Sequence, residues 1–154
     1  MFSAGVFCDL AYRGGRAAAR FGLLEALRFK LRHPCRALAY LGLAVTPAPY
    51  VLHARVMRRF HPRRDVATPR LVEAWMRAAV EARGFEFVRP GVVAVRLRAR
   101  DPARLGQAFT DDDPDAAYYL ERNPSWADHE ALVVWVPLDL VNVLASLPRA
   151  MRAA

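Results

Sequence analysis

Two groups of side chains in this sequence have the types and spacing that chemistry requires. The first is acidic. Asp111, Asp112, Asp113 and Asp115 place four carboxylates within five positions, the kind of oxygen-rich segment that can ligate a hard cation. A little further on, His129 lies between Asp128 and Glu130, where neighbouring acids would raise an imidazole pKa and suit it to proton transfer. Read together, Asp111–Asp115 and His129 outline a small metal-dependent or His-assisted hydrolase or nuclease. The details weaken that outline. The calcium-loop spacing and its glycine are absent, and Asp113-Pro114 has the grammar of a helix start. Nuclease metal sites commonly add a lysine, whereas the one lysine, Lys30, lies far upstream. Residues adjacent on a helix do not face each other, so the neighbours of His129 do not by themselves make a dyad.

The second group is basic. Arg28 and Arg32 sit on one predicted helix with Phe21 and Phe29, and Arg55, Arg58, Arg59, Arg63 and Arg64 form a denser run. Guanidinium groups bind phosphate and carboxylate in a bidentate way. Aromatic rings among them suit stacking on bases, insertion at a membrane interface or docking on a protein. Before Asp111 the chain holds 19 Arg and Lys30 against seven acids; from Asp111 onward it holds three Arg against eight acids. Coding bias accounts for the choice of arginine over lysine but not for this segregation. A field so divided attracts anionic surfaces, or else the two segments meet each other within the fold.

Other motifs are weak or missing. There is no HExxH, GxSxG or phosphate-binding glycine loop, and Gly14-Gly15 ahead of Arg16 is only a faint anion signal. No cofactor or metal is therefore expected, and catalytic residues stay unassigned. Cys8 and Cys35 are too few for a disulfide scaffold. They read as small buried thiols in a cytoplasmic or other reducing intracellular compartment, with an organelle-targeted chain as the minority reading. No sequence signature joins either thiol to His33, His53, His61 or His129 as a nucleophile pair. The longest uncharged stretch, Ala37 to Leu52, contains Pro47 and Pro49 and is too short to span a bilayer.

The elements that must position these residues follow from hydrophobic periodicity and turn chemistry. Gly22 to Arg32 reads as a helix with Leu23, Leu24, Leu27 and Leu31 inward, stopped by His33-Pro34. A second apolar helix is expected over Cys35 to Leu43, broken by Thr46-Pro47-Ala48-Pro49, and a third over Tyr50 to Phe60. Thr68 and Pro69 open a helix that Gly84 closes, with Leu71, Trp75, Ala78, Ala79 and Ala82 on one face and Glu73, Arg77 and Glu81 on the other. Phe85 and Phe87, then Arg89-Pro90-Gly91, then Val93, Val95 and Leu97 make a hairpin. That order resembles a winged helix only in outline, because a DNA-reading helix should not expose Glu73 and Glu81. The hairpin arginines Arg89, Arg96, Arg98 and Arg100 remain available to a backbone phosphate. Short helices are expected over Asp101–Phe109 and Ala116–Arg122, a capping box at Ser125 and Asp128, a buried strand over Leu132–Val136, and a last helix capped by Asp139.

The expected fold is α+β: a basic N-terminal helical part followed by a small three-stranded sheet flanked by helices, in the order α-β-β-α-α-β-α. Residues 1–154 suit one domain, with a sub-boundary near 62–69 between a basic helical part (1–61) and an α+β part (70–154). The leading functional expectation is a non-enzymatic binding or assembly protein. It would use Arg28, Arg32, Arg55, Arg58, Arg59, Arg63 and Arg64 on an anionic partner: nucleic acid or acidic protein, less readily acidic membrane. The hydrolase outline is the second expectation, and a structural subunit of a larger complex is the third.

Overall fold

A computed structural model of the chain describes residues 17–95 and 112–152. The fold is α+β, with helices on both faces of an antiparallel sheet whose strands, β1 (Ala39–Ala44), β2 (Phe87–Arg89), β3 (Val92–Ala94) and β4 (Glu130–Pro137), are ordered β1-β4-β3-β2. The sheet therefore has four strands where three were expected. The additional one is β1 (Ala39–Ala44), which pairs with β4 (Glu130–Pro137) from Ala39 opposite Pro137 to Ala44 opposite Leu132. The Cys35–Leu43 helix is thus replaced by a loop and a strand. Ala and Leu favour helix locally, but this uncharged six-residue run gains a full ladder with β4, and tertiary pairing overrides so weak a preference.

The first helix, α1, spans Ala17–Arg32 and buries Leu23, Ala26 and Lys30, with Ala19 and Leu27 packed alongside. The inward face is rotated from the expected one, leaving Leu24 and Leu31 exposed. After β1, Thr46 adopts an extended conformation and Pro47 occupies the first turn of α2 (Pro47–Val56). The proline pair read as a breaker is therefore a helix start, where a missing N–H costs nothing. Helix α3 spans Arg70–Glu81, one position later than the caps suggested, and the Thr68 side chain makes no capping bond. It buries Met76 and Val80, while Leu71 and Trp75 stay exposed. Glu73, Arg77 and Glu81 face solvent as expected.

The hairpin forms as β2 (Phe87–Arg89) and β3 (Val92–Ala94), and Gly91 at φ +77° takes the left-handed turn position that favours glycine. Helix α4 spans Pro114–Arg122, and the Asp113 carboxylate accepts from the N–H groups of Asp115 (2.9 Å) and Ala116 (3.3 Å). A 3-10 turn over Trp126–Asp128 follows without the expected side-chain cap from Ser125. The last helix, α5 (Leu140–Arg152), is capped by Asp139, whose carboxylate accepts from the Asn142 N–H at 3.0 Å. The expected Asp101–Phe109 helix and residues Leu97, Arg96, Arg98 and Arg100 lie outside the described residues.

Strand β4 lies between two layers, as its unbroken apolar sequence requires. Leu132, Val134 and Val136 face a core shared with α1, α2, α4 and α5; Ala131 and Val133 face α3, Val93 and Val95. All five are fully buried, and each buried valine or leucine contributes about 1.5–3 kcal/mol. The basic N-terminal helices and the C-terminal elements share one core, which brings the opposite charges of the sequence within reach of each other.

Candidate functional site

The arginine run lies at the end of α2 and in the segment after it. Buried polar groups of α5 fix that segment. The Arg58 N–H donates to Ser146 Oγ (3.0 Å) and the Arg59 N–H to Asn142 Oδ1 (2.8 Å). Asn142 Nδ2 donates in turn to the carbonyls of Arg59 (2.9 Å) and Pro137 (2.6 Å). Phe60 is buried behind them, and the Tyr50 hydroxyl donates to Pro62 O at 3.2 Å. The backbone is anchored inside, so Arg55, Arg58, Arg59 and Arg64 project outward.

Most of these guanidinium groups meet the acidic segment of the same chain. Arg55 pairs with Asp113 at 2.6 Å, Arg59 reaches both Asp139 oxygens at 2.7 and 2.6 Å, and Arg64 lies 3.5 Å from Asp65 and 3.7 Å from Asp115. Arg63 donates to Arg58 O (2.8 Å) and rests over the Phe60 ring at 5.7 Å. On α1, Arg28 pairs with Glu25. Among the described residues, the side chains of Arg32 and Arg58 have no ionic partner. The structure thus gathers Arg55, Arg58, Arg59, Arg63 and Arg64 into one region and leaves Arg28 and Arg32 on a separate helix.

The acidic group is dispersed into structural tasks. Asp113 caps α4; burial alone would raise its pKa, but the Arg55 hydrogen bond and the two helix N–H groups outweigh burial and hold it below the usual value. Asp115 lies beside Arg64, Asp112 is exposed, and Asp111 is outside the described residues. His129 is exposed in a left-handed conformation (φ 64°) between the 3-10 turn and β4. Among the described residues, no three His, Cys, Asp or Glu side chains cluster in a way that would hold a metal ion.

The other candidate groups are also placed. His53 is half-buried, with Nδ1 2.6 Å from Pro49 O and its ring stacked on Tyr40 at 5.8 Å; desolvation pushes its pKa down. His61 pairs through its backbone with Trp135, and burial together with nearby Arg59 lowers its pKa. Cys35 is exposed, contrary to the buried thiol expected, because the segment holding it is a loop; Cys8 and Gly14-Gly15-Arg16 lie outside the described residues. Lys30 is a structural residue. It is only 6% exposed, and its ammonium donates to Pro34 O (2.7 Å) and Arg36 O (2.6 Å).

Helices α1 and α5 also carry exposed apolar side chains, of which the sequence pointed to Phe21 alone. On α1, Phe21, Leu24 and Leu31 are exposed, and on α5, which packs against α1, so are Val141, Leu144 and Met151. The intervals of three and seven place each set on one helix face. That spacing is visible in the sequence, but there Leu24 and Leu31 read equally well as core. No described helix is long and apolar enough to cross a membrane. Comparisons with protein-family models, with curated proteins and with solved structures find no match to this chain.

Proposed function

We propose that this chain is a non-enzymatic binding or assembly protein that engages an acidic protein surface. The observation that carries the reading is the mixed character of its α1–α5 face. Phe21 and Met151 are each about two thirds exposed, at 67% and 66%, and Arg28, Arg32, Arg149 and Arg152 lie on the same two helices. Arg58, exposed and hydrogen-bonded through its backbone to Ser146 on α5, adds a further cation next to that helix. Exposed apolar side chains together with arginines on two packed helices suit a protein interface. A nucleic-acid backbone would need the cations without the apolar ridge. The exposed pairs of Arg55, Arg59 and Arg64 are each worth only about 0–1 kcal/mol, so partner carboxylates can take over those arginines at little cost.

The test uses three fluorescent or sedimentable probes at several salt concentrations: an acidic amphipathic helical peptide, duplex DNA, and vesicles with or without anionic lipid. The expected result is saturable peptide binding that weakens with salt and is lost in Leu24→Glu/Leu144→Glu. Binding of DNA with a steep salt slope, unchanged in that variant, would overturn the reading in favour of a nucleic-acid protein. Flotation with anionic vesicles and no peptide binding would replace the protein partner with a membrane.

A further inference from the structure

A second feature lies away from the α1–α5 face. A cavity of about 320 Å³ opens between α3, the β2–β3 hairpin and the end of α4. Three arginines line it, one from each of these elements: Arg77, Arg89 and Arg122. Their surroundings give them different roles. Arg89 is held by Glu130, with longer contacts of 3.4 Å to Asn123 and Ser125, so its charge is answered inside the fold. Its buried Nε has no hydrogen-bond partner. Arg77 lies over the Phe87 ring with its carbon 5.8 Å from the centroid, which orients the guanidinium without neutralising it. Arg122 ends α4 and has no ionic partner among the described residues; its Nη2 lies 3.9 Å from where a Gly91 side chain would begin. Glycine at that turn keeps the cavity open beside Arg122.

With Arg89 balanced by Glu130, the lining carries Arg77 and Arg122 against Glu73, an excess of one positive charge. Two arginines from separate elements, neither with an ionic partner among the described residues, line a concavity of small-ligand size, and their guanidinium forks match the bidentate geometry of carboxylate and phosphate. Glu73 on the same wall accepts a hydrogen bond from a hydroxyl or amine but repels a second anionic group. We infer that this cavity binds a small soluble oxyanion, a carboxylate or phosphate compound that also bears a hydroxyl or amine donor. Arg77 and Arg122 hold the anionic group, and Glu73 accepts from the donor. The inference is independent of the α1–α5 interface, with which it shares no residue.

Binding is measured by isothermal titration and by thermal shift at constant ionic strength. The probes are inorganic phosphate, glycerol phosphate, succinate and malate, with chloride as the reference anion. The expected result is saturable stabilisation by glycerol phosphate or malate beyond chloride, with the donor-bearing member of each pair the tighter. Arg77→Gln and Arg122→Gln should each weaken that binding about tenfold, the value of one charge-assisted hydrogen bond. Arg36→Gln, an exposed position outside the cavity lining, should leave it unchanged. Glu73→Gln should remove the advantage of glycerol phosphate over inorganic phosphate while tightening inorganic phosphate itself. Four anions indistinguishable from chloride would overturn the inference, as would full affinity in the Arg77→Gln/Arg122→Gln double variant. Phosphatidic acid vesicles form a separate arm. Flotation with them that glycerol phosphate fails to compete away would assign the arginines to a lipid headgroup and overturn the soluble ligand.

Discussion

The chain holds 22 arginines and one lysine, and that lysine is buried with its ammonium between two carbonyls of the α1–β1 loop. A compact ammonium on a flexible stem fits between Pro34 O and Arg36 O, whereas a planar fork demands a wider, flatter arrangement. Lys30→Arg is therefore expected to destabilise the protein despite conserving charge, and Lys30→Met to cost about 1.5–3 kcal/mol, the value of hydrogen bonds to a charged group. Urea unfolding of both variants checks this; an arginine variant as stable as the parent would mean the site does not depend on ammonium geometry. The histidines set a pH dependence. His53 and His61 both have pKa values lowered from 6.5 in the folded state, chiefly by burial. Their contribution to stability is present above 6.5 and is lost as the pH falls through the lowered folded values. His53→Phe/His61→Asn should accordingly flatten the fall in urea midpoint between pH 7.5 and 5.5. An unchanged fall would place the titration on other groups.

At the scale of elements, the joint between the α2 end and α5 depends on one side chain. Asn142 is nearly fully buried and satisfies the Arg59 N–H, the Arg59 carbonyl and the Pro137 carbonyl together. Asn142→Leu preserves volume but orphans those groups, and a loss of about 2–4 kcal/mol is expected, against about 1 kcal/mol for Ser146→Ala. Chemical denaturation followed by circular dichroism gives both numbers, and equal costs would show that Asn142 has no special place. The Asp113 and Asp139 caps, the Pro90-Gly91 turn and strand β4 were legible in the sequence, because each rests on local stereochemistry or on an unbroken apolar run. Strand β1 was not. Its residues Ala39 to Ala44 have the composition of a helix, and what makes them a strand is β4, some ninety residues later. The rotation of α1 and α3 was hidden for a related reason: Leu24, Leu31, Leu71 and Trp75 satisfy a helical stripe as well as the buried residues do. Periodicity alone does not say which of two apolar stripes faces the sheet.

For the whole molecule, the segregation of charge in the sequence turns into contact in space. Arg55 and Arg59, from the basic part, reach Asp113 and Asp139, the two acids that cap α4 and α5. Each carboxylate thus serves a helix N-terminus on one side and an arginine on the other. Both partners are legible in the sequence but their pairing is not, since the side chains meet across 58 and 80 positions of chain. Two tasks on one carboxylate imply unequal costs. Asp113→Ala removes a cap and a pair and should cost about 1–2 kcal/mol; Arg55→Ala removes only an exposed pair and should cost less than about 1 kcal/mol. A double-mutant cycle on Arg55 and Asp113 should give a coupling of about 0.2–1 kcal/mol that shrinks in 0.5 M salt, while the cost of losing the cap persists. A coupling of several kcal/mol, insensitive to salt, would make the arginine a fixed part of the fold. A small, screened one leaves Arg55 free to exchange Asp113 for a carboxylate on an acidic partner, an addition to the proposed interface at little cost.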